Sequence, residues 1–245
     1  MNSTEAPSSS RDHEIIVALD VPSAREAASA VKTLGDAVSF YKVGLELFVA
    51  DGPETLRMLK GEGKRVFLDL KLHDIPRTVE RAVSSCLAFG ADLLTIHAQG
   101  CRAMVEGAVR AVSEAGSDTK IIAVTLLTSL DAADLADMGV CRAPQEQVLA
   151  LGTLATAAGA HGLVCSPREV AALRRALGPG AILVTPGVRP AGTAAGDQKR
   201  IATPGEAIRD GATHLVVGRP ILGAQDPRAA AIAIRREMDC AGDGR

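Results

Sequence analysis

Eight short runs rich in valine, isoleucine and leucine recur along the chain, separated by longer stretches whose apolar residues return every three or four positions. The runs are EIIVALDV (14–21), SFYKVGL (39–45), RVFLDLK (65–71), DLLTIHA (92–98), KIIAVTLL (120–127), HGLVCS (161–166), AILVTPGV (181–188) and THLVVGRPI (213–221). Between them lie PSAREAASAVKTLG, PETLRMLKGEG, RTVERAVSSCLAFG, RAMVEGAVRAVSEAG, PQEQVLALGTLATAAG, REVAALRRALG and a closing DPRAAAIAIRREM, all with helical spacing. Ser23 and Ser166 supply helix starts, while Gly35, Gly90, Gly116 and Gly178 supply stops. The runs are apolar almost throughout rather than alternating, which predicts parallel strands covered on both faces. Seven or eight strand–helix units in a chain of this length predict an α/β fold closed as a (β/α)8 TIM barrel. A doubly wound open sheet is the alternative, but no GxGxxG follows the first run, where its fingerprint belongs.

No Pro/Gly/Ser-rich linker divides the chain, so a single barrel domain is expected over 14–238. Residues 1–13 are expected to form a disordered tail and 239–245 a short C-terminal one. Hydrophobic residues make up 47% of the 245, but aromatics only 2%, and Trp is absent. The core must therefore come from Ala, Val, Leu and Ile. A net charge of −2 without a basic cluster argues against a nucleic-acid partner and leaves a small anionic ligand open. Five cysteines (86, 101, 141, 165 and 240) form no CxxC pair and read as reduced thiols of a cytoplasmic protein. The opening MNSTEAPSSSRDH lacks the apolar stretch of a signal peptide, and no run approaches the roughly 18 apolar residues of a membrane span.

The third run carries a contradiction. In FLDLKLHDIPRT, an aspartate, a lysine and another aspartate fall at 69, 71 and 74 of a segment otherwise destined for a core. Unpaired charges there would cost several kcal/mol, on the order given for buried ions. A barrel resolves this, because its chemistry sits where strands end and the following loops begin. The polar residues at those ends are Asp20, Lys42, Asp69, Lys71 with Asp74 just beyond, His97, Thr128 and Ser129, Arg189, then Gly218 and Arg219. Charges thus gather at one rim.

Asp69 and Lys71 are two apart, so on a strand they face the same side. With Lys42 from the neighbouring strand and Asp74 beyond, an alternating Lys–Asp–Lys–Asp array becomes possible. A structural salt-bridge network is the plainer reading of DxK alone; four such charges on adjacent strand ends favour catalysis. Flanking carboxylates favour the ammonium form of Lys71, which suits a proton donor that quenches a carbanion rather than a Schiff-base nucleophile. After strand seven comes a long connection, PGVRPAGTAAGDQKRIATPGEAI, and after strand eight GRPI. Barrel phosphate sites form from these two loops. Gly218 would allow close backbone approach, Arg219 a bidentate grip, and Gln198 a hydrogen bond to a phosphate or base edge. A lone strand histidine such as His97 is more often a packed core residue. No His or Cys pair stands at zinc-ligand spacing. Cys165 reads as a small core residue, and His13, His161 and His214 precede strands, at the other end of the barrel.

The block DxKxxDIPxT at 69–78 resembles the orotidine 5′-phosphate decarboxylase family. So do ALD near the N-terminus, YKVG on strand two, VTLLTS on strand five, TPGVRP on strand seven and VVGRPI on strand eight. The match runs in order from about residue 14 to 236. It implies a phosphate-binding barrel of the ribulose-phosphate-binding type, a homodimer without metal or organic cofactor, converting orotidine 5′-phosphate to UMP and CO2. The resemblance implies Lys71 as the catalytic acid within an array of Lys42, Asp69 and Asp74. It implies ribose contacts from Asp20 and Lys42, and ring contacts from Thr128 and Ser129. Phosphate contacts would come from Arg189, Gln198, Gly218 and Arg219, and Pro186 would be a further substrate-binding residue. Asp74, Ile75 and Thr78 would reach the partner subunit's site. Two rivals share parts of this pattern. Metal-dependent 3-keto-gulonate 6-phosphate decarboxylases and hexulose phosphate synthases keep DxKxxD but need a carboxylate on strand two, where Lys42 stands. A non-catalytic nucleotide-binding barrel would not need charges beside an anionic ring substituent.

Overall fold

The structure, a computed structural model, describes residues 13–190 and 202–242. Eight parallel strands, β1 (Glu14–Ala18), β2 (Phe40–Gly44), β3 (Arg65–Leu72), β4 (Leu93–His97), β5 (Lys120–Val124), β6 (Gly162–Val164), β7 (Ile182–Thr185) and β8 (His214–Val217), close into a barrel in chain order. β1 pairs with β8 to complete the ring. The open-sheet alternative is therefore excluded. Helices Ala24–Leu34, Leu45–Gly61, Pro76–Leu87, Cys101–Glu114, Pro144–Ala157, Pro167–Leu177, Pro204–Arg209 and Pro227–Gly242 lie between and after the strands. The last of them runs past residue 238, and His13 meets it through a 3.2 Å contact to Asp239.

Local chemistry sets the helix limits. Ser23 caps Ala24–Leu34 by accepting the Glu26 N–H, and Gly35 ends it at φ 55°, a left-handed turn that costs glycine little. Ser166 and Glu169 form a capping box before Pro167–Leu177, the Glu169 carboxylate accepting the Ser166 N–H at 2.9 Å. Most runs are trimmed at their ends, and two boundaries differ from the expected ones for a visible local reason. Helix Leu45–Gly61 starts eight positions before Pro53 and absorbs a kink at Asp51, whose φ of −146° breaks the turn that the proline could not complete. The eighth strand stops at Val217, not 221. Gly218 leaves the extended region, and Arg219–Leu222 forms a short helix in which Pro220 takes a position that needs no intrahelical N–H.

Two apolar layers result. One lies between barrel and helices; the other fills the barrel, with Ile16 and Ala18 of β1, Phe40 of β2, Phe67 of β3, Leu93 of β4 and Val124 of β5 among its members. Both layers are aliphatic apart from a few rings, as the composition requires. Below the inner layer, at the strand N-termini, Arg65 stacks over Phe40 at 4.2 Å and pairs with Glu14 and Asp92. A cavity of about 500 Å³ opens at this end, lined by Arg65, Asp92, Lys120 and His214 among others. Lys60 and Arg65 pair with Asp92 there, and the strands' C-terminal ends lie at the opposite rim.

Burial keeps several histidines neutral. Desolvation lowers His214 and His97 to about 4, and lowers His161, whose Nδ1 accepts the Ile121 N–H at 3.1 Å. An unfolded chain takes up these protons from about pH 6.5 downwards while the folded one resists, so folding stability must fall as pH drops from 6.5 towards 4. Thermal melting followed by circular dichroism should show Tm declining across that window. A flat Tm from pH 7 to 4.5 would contradict the buried-neutral assignment.

Candidate active site

The inner layer is also the base of the site. Two residues beyond four of its members, the same face of the strand turns polar: Ala18 leads to Asp20, Phe40 to Lys42, Phe67 to Asp69 and Lys71, Leu93 to Thr95 and His97. The ladder then fixes neighbours. Lys42 pairs with Ala18 on one side and Phe67 on the other, and Gly44 lies beside Asp69. As a result the Lys42 ammonium sits 2.8 Å from Asp20 Oδ1 and 3.9 Å from Asp69 Oδ2. The Lys71 ammonium sits 2.7 Å from that same Asp69 oxygen.

Asp69 is 7% exposed, so its charge needs these partners. Its second oxygen, Oδ1, accepts a hydrogen bond from the Thr95 hydroxyl at 3.0 Å. Gly44 matters for a different reason. A methyl group there would stand 2.8 Å from the Lys42 nitrogen and push the ammonium off its seat between the carboxylates. His97 lies further along β4, against His73 with ring centroids 5.2 Å apart. Burial first, then the charges of His73 and Lys71, lower its pKa, so near neutral pH it faces the array as an uncharged ring.

Across the rim, β7 and β8 contribute the cations. Arg189 is buried; burial first, and the Arg219 charge second, pull its pKa below the ordinary guanidinium value. Its backbone N–H bonds to Ala202 O at 3.0 Å, and its guanidinium donates to Val188 O at 2.9 Å. Arg219 opens the short helix after β8 and is exposed. Two guanidiniums close enough to repel form a natural seat for an anion. Gly218 joins this region to the other. A Cβ built on it would come within 3.5 Å of Asp20 Oδ2, so the arginines and the Asp20–Lys42–Asp69–Lys71 array form one continuous arc.

Not every expected residue enters that arc. Asp74 and Ile75 are exposed on the turn after β3, and Thr78 is exposed on the first turn of Pro76–Leu87. Asp74 accepts the Ile75 N–H at 2.6 Å and forms no ion pair with another described residue. Thr128, half-buried, and Ser129, exposed, follow β5, and Pro186 is half-buried after β7. Gln198 lies outside the described residues. Sequence reasoning passed over Thr95 and Gly44. The first could have been found by stepping two residues along the inner face from Leu93; the second becomes visible only once the Lys42 ammonium is placed.

A closed (β/α)8 barrel with buried charges and paired arginines at the strand C-termini is a barrel built to hold an anionic ligand at that rim. The family model described as "Orotidine 5'-phosphate decarboxylase / HUMPS family" matches residues 13–234, and the chain belongs to that family. A curated relative from Anaeromyxobacter sp. (strain K), named orotidine 5′-phosphate decarboxylase, is 54% identical over 220 residues, 90% of this chain and 96% of its own. Its namesake from Rhodopseudomonas palustris (strain HaA2) is 52% identical over 236 residues, covering 96% of this chain and 97% of its own. The crystal structure of orotidine 5′-phosphate decarboxylase from Lactobacillus acidophilus superposes with a TM-score of 0.83 at 38% identity, covering 93% of this chain and 99% of that one.

Proposed function

We propose that the chain decarboxylates orotidine 5′-phosphate to UMP and CO2, the last step of de novo UMP biosynthesis, in the cytoplasm and as a homodimer. The observation that carries this reading is the continuous arc from paired arginines to a buried carboxylate flanked by two ammoniums. Its length offers a phosphate grip at one end and a proton donor at the other. Arg189, Arg219 and Gly218 hold the phosphate, a role the family resemblance also gives to Gln198, and Pro186 contacts the substrate. Asp20 and Lys42 hold the ribose hydroxyls, and Thr128 and Ser129 meet the pyrimidine.

The substrate carboxylate then lies against Asp69. Breaking the bond between carbon 6 and the carboxylate releases CO2 and leaves the electron pair on carbon 6, with no adjacent π system to spread it. The Lys71 ammonium, held 2.7 Å from Asp69, stabilises that pair and gives carbon 6 a proton; the amine is reprotonated from solvent. Asp74, Ile75 and Thr78 complete the partner's site, which accounts for an aspartate that makes no ion pair among the described residues and an isoleucine 67% exposed at the rim. The loss of ultraviolet absorbance as orotidine 5′-phosphate becomes UMP tests the reading; absence of turnover would overturn it.

The metal-dependent reaction of the HUMPS branch needs a carboxylate on β2. Lys42 occupies that place, and its ammonium would repel a divalent cation. Activity unchanged by EDTA is the expected result, and activity abolished by EDTA and restored by Mg²⁺ would favour the other branch. Arg219→Ala should lower kcat/KM by about 10- to 100-fold, the scale of one lost charge-assisted contact to phosphate. A near-wild-type kcat/KM would remove Arg219 from the phosphate site.

A further inference from the structure

We propose that Thr95 is a positioning residue for this decarboxylation, acting on Lys71 through two hydrogen bonds of one buried hydroxyl. The inference rests on the reaction proposed above. Strand β3 is irregular at the site. Leu68 pairs with Leu94 and Leu72 with Ile96, so β3 takes four residue steps while β4 takes two. Thr95 is the β4 residue opposite that insertion. Within it, Lys71 adopts φ 51°, a left-handed conformation uncommon for a lysine. Such a backbone persists where its surroundings over-determine it.

Thr95 supplies the determining contacts. It is fully buried, its Oγ1 accepts the Lys71 backbone N–H at 2.9 Å, and its hydroxyl proton goes to Asp69 Oδ1 at 3.0 Å. The first bond replaces the ladder partner that the insertion removes from Lys71. The second turns the Asp69 carboxylate so that Oδ2 faces the Lys71 ammonium at 2.7 Å. One side chain thereby fixes both the backbone of the proton donor and the direction of its counter-ion. Thr95 itself need not touch the substrate. An isosteric valine would keep the packing and lose both bonds, whereas serine would keep both and lose only a methyl group.

The test compares steady-state turnover of orotidine 5′-phosphate by the wild type, Thr95→Val, Thr95→Ala and Thr95→Ser. Thr95→Val and Thr95→Ala should lose about 10- to 100-fold in kcat, the scale of a misplacement of about 1 Å at reacting groups. KM should move by less than about threefold, because phosphate and ribose contacts are untouched. Thr95→Ser should recover kcat to within about threefold of wild type, which a role in packing alone would not produce. Folded Val or Ala variants with wild-type kcat would overturn the role, as would a Ser variant no better than Ala. Insoluble Val and Ala variants beside a soluble Ser variant would assign the hydroxyl to folding and overturn it too. No UMP from the wild type would overturn the reaction and the role together, whereas wild-type turnover matched by Thr95→Val would overturn the role alone.

Discussion

Lys71→Ala is expected to abolish UMP formation, with kcat reduced by at least about 10⁴-fold, the upper range for loss of a general acid. UMP should still bind within about tenfold, because the residues assigned to phosphate and ribose lie elsewhere on the arc. The variant should fold. Asp69 would still face the Lys42 ammonium at 3.9 Å and accept the Thr95 hydroxyl at 3.0 Å, so its buried charge is not abandoned. The loss therefore reads on the chemical step. A single lysine does not supply the whole barrier reduction: enzymes lower barriers by roughly 8–23 kcal/mol, whereas one charge-assisted hydrogen bond contributes about 1.5–3. The balance must come from phosphate and ribose contacts that are expressed in the transition state. Turnover within tenfold of wild type by a folded Lys71→Ala protein would remove Lys71 from its role.

The second large effect is a gain. Asp74→Ala is expected to be as inactive as Lys71→Ala, yet a mixture of the two should recover activity after subunit exchange. In a two-fold dimer that shares residues across its interface, each heterodimer has one site with both lesions and one with neither. Random exchange at equal concentrations makes half the dimers mixed, so roughly a quarter of wild-type activity should return. The structure motivates this arrangement. Asp74 points from an exposed turn and pairs with no described cation, although two lysines stand at the same rim. Ile75 beside it is 67% exposed, apolar surface at the same turn that a partner subunit would cover. No recovery after exchange verified by mass spectrometry would place Asp74 outside the partner's site.

The barrel itself was legible because its strands are continuous in apolar character, a pattern that only two-sided burial explains. The same parity that hides Phe67 in the barrel also exposes Asp69 and Lys71 at its mouth, so fold and array came from one signal. Boundaries were less legible. Helix formation from Leu45 and the end of β8 at Val217 depend on a kink at Asp51 and the conformation of Gly218, which tertiary packing decides. Thr95 was hidden for another reason. A threonine inside DLLTIHA is an ordinary β-former, and its importance lies in an irregularity of the adjoining strand. Gly44 stood in the sequence only as part of the YKVG run, and its value is the space it leaves for the Lys42 ammonium, which no sequence pattern displays.

The most direct test is proton NMR of the product formed by the wild-type protein from orotidine 5′-phosphate in deuterated buffer containing EDTA. UMP bearing deuterium at carbon 6, formed at the rate seen without chelator, is the expected result of an exchangeable ammonium quenching a ring carbanion. UMP bearing protium at carbon 6, or none until a divalent metal is restored, would contradict it.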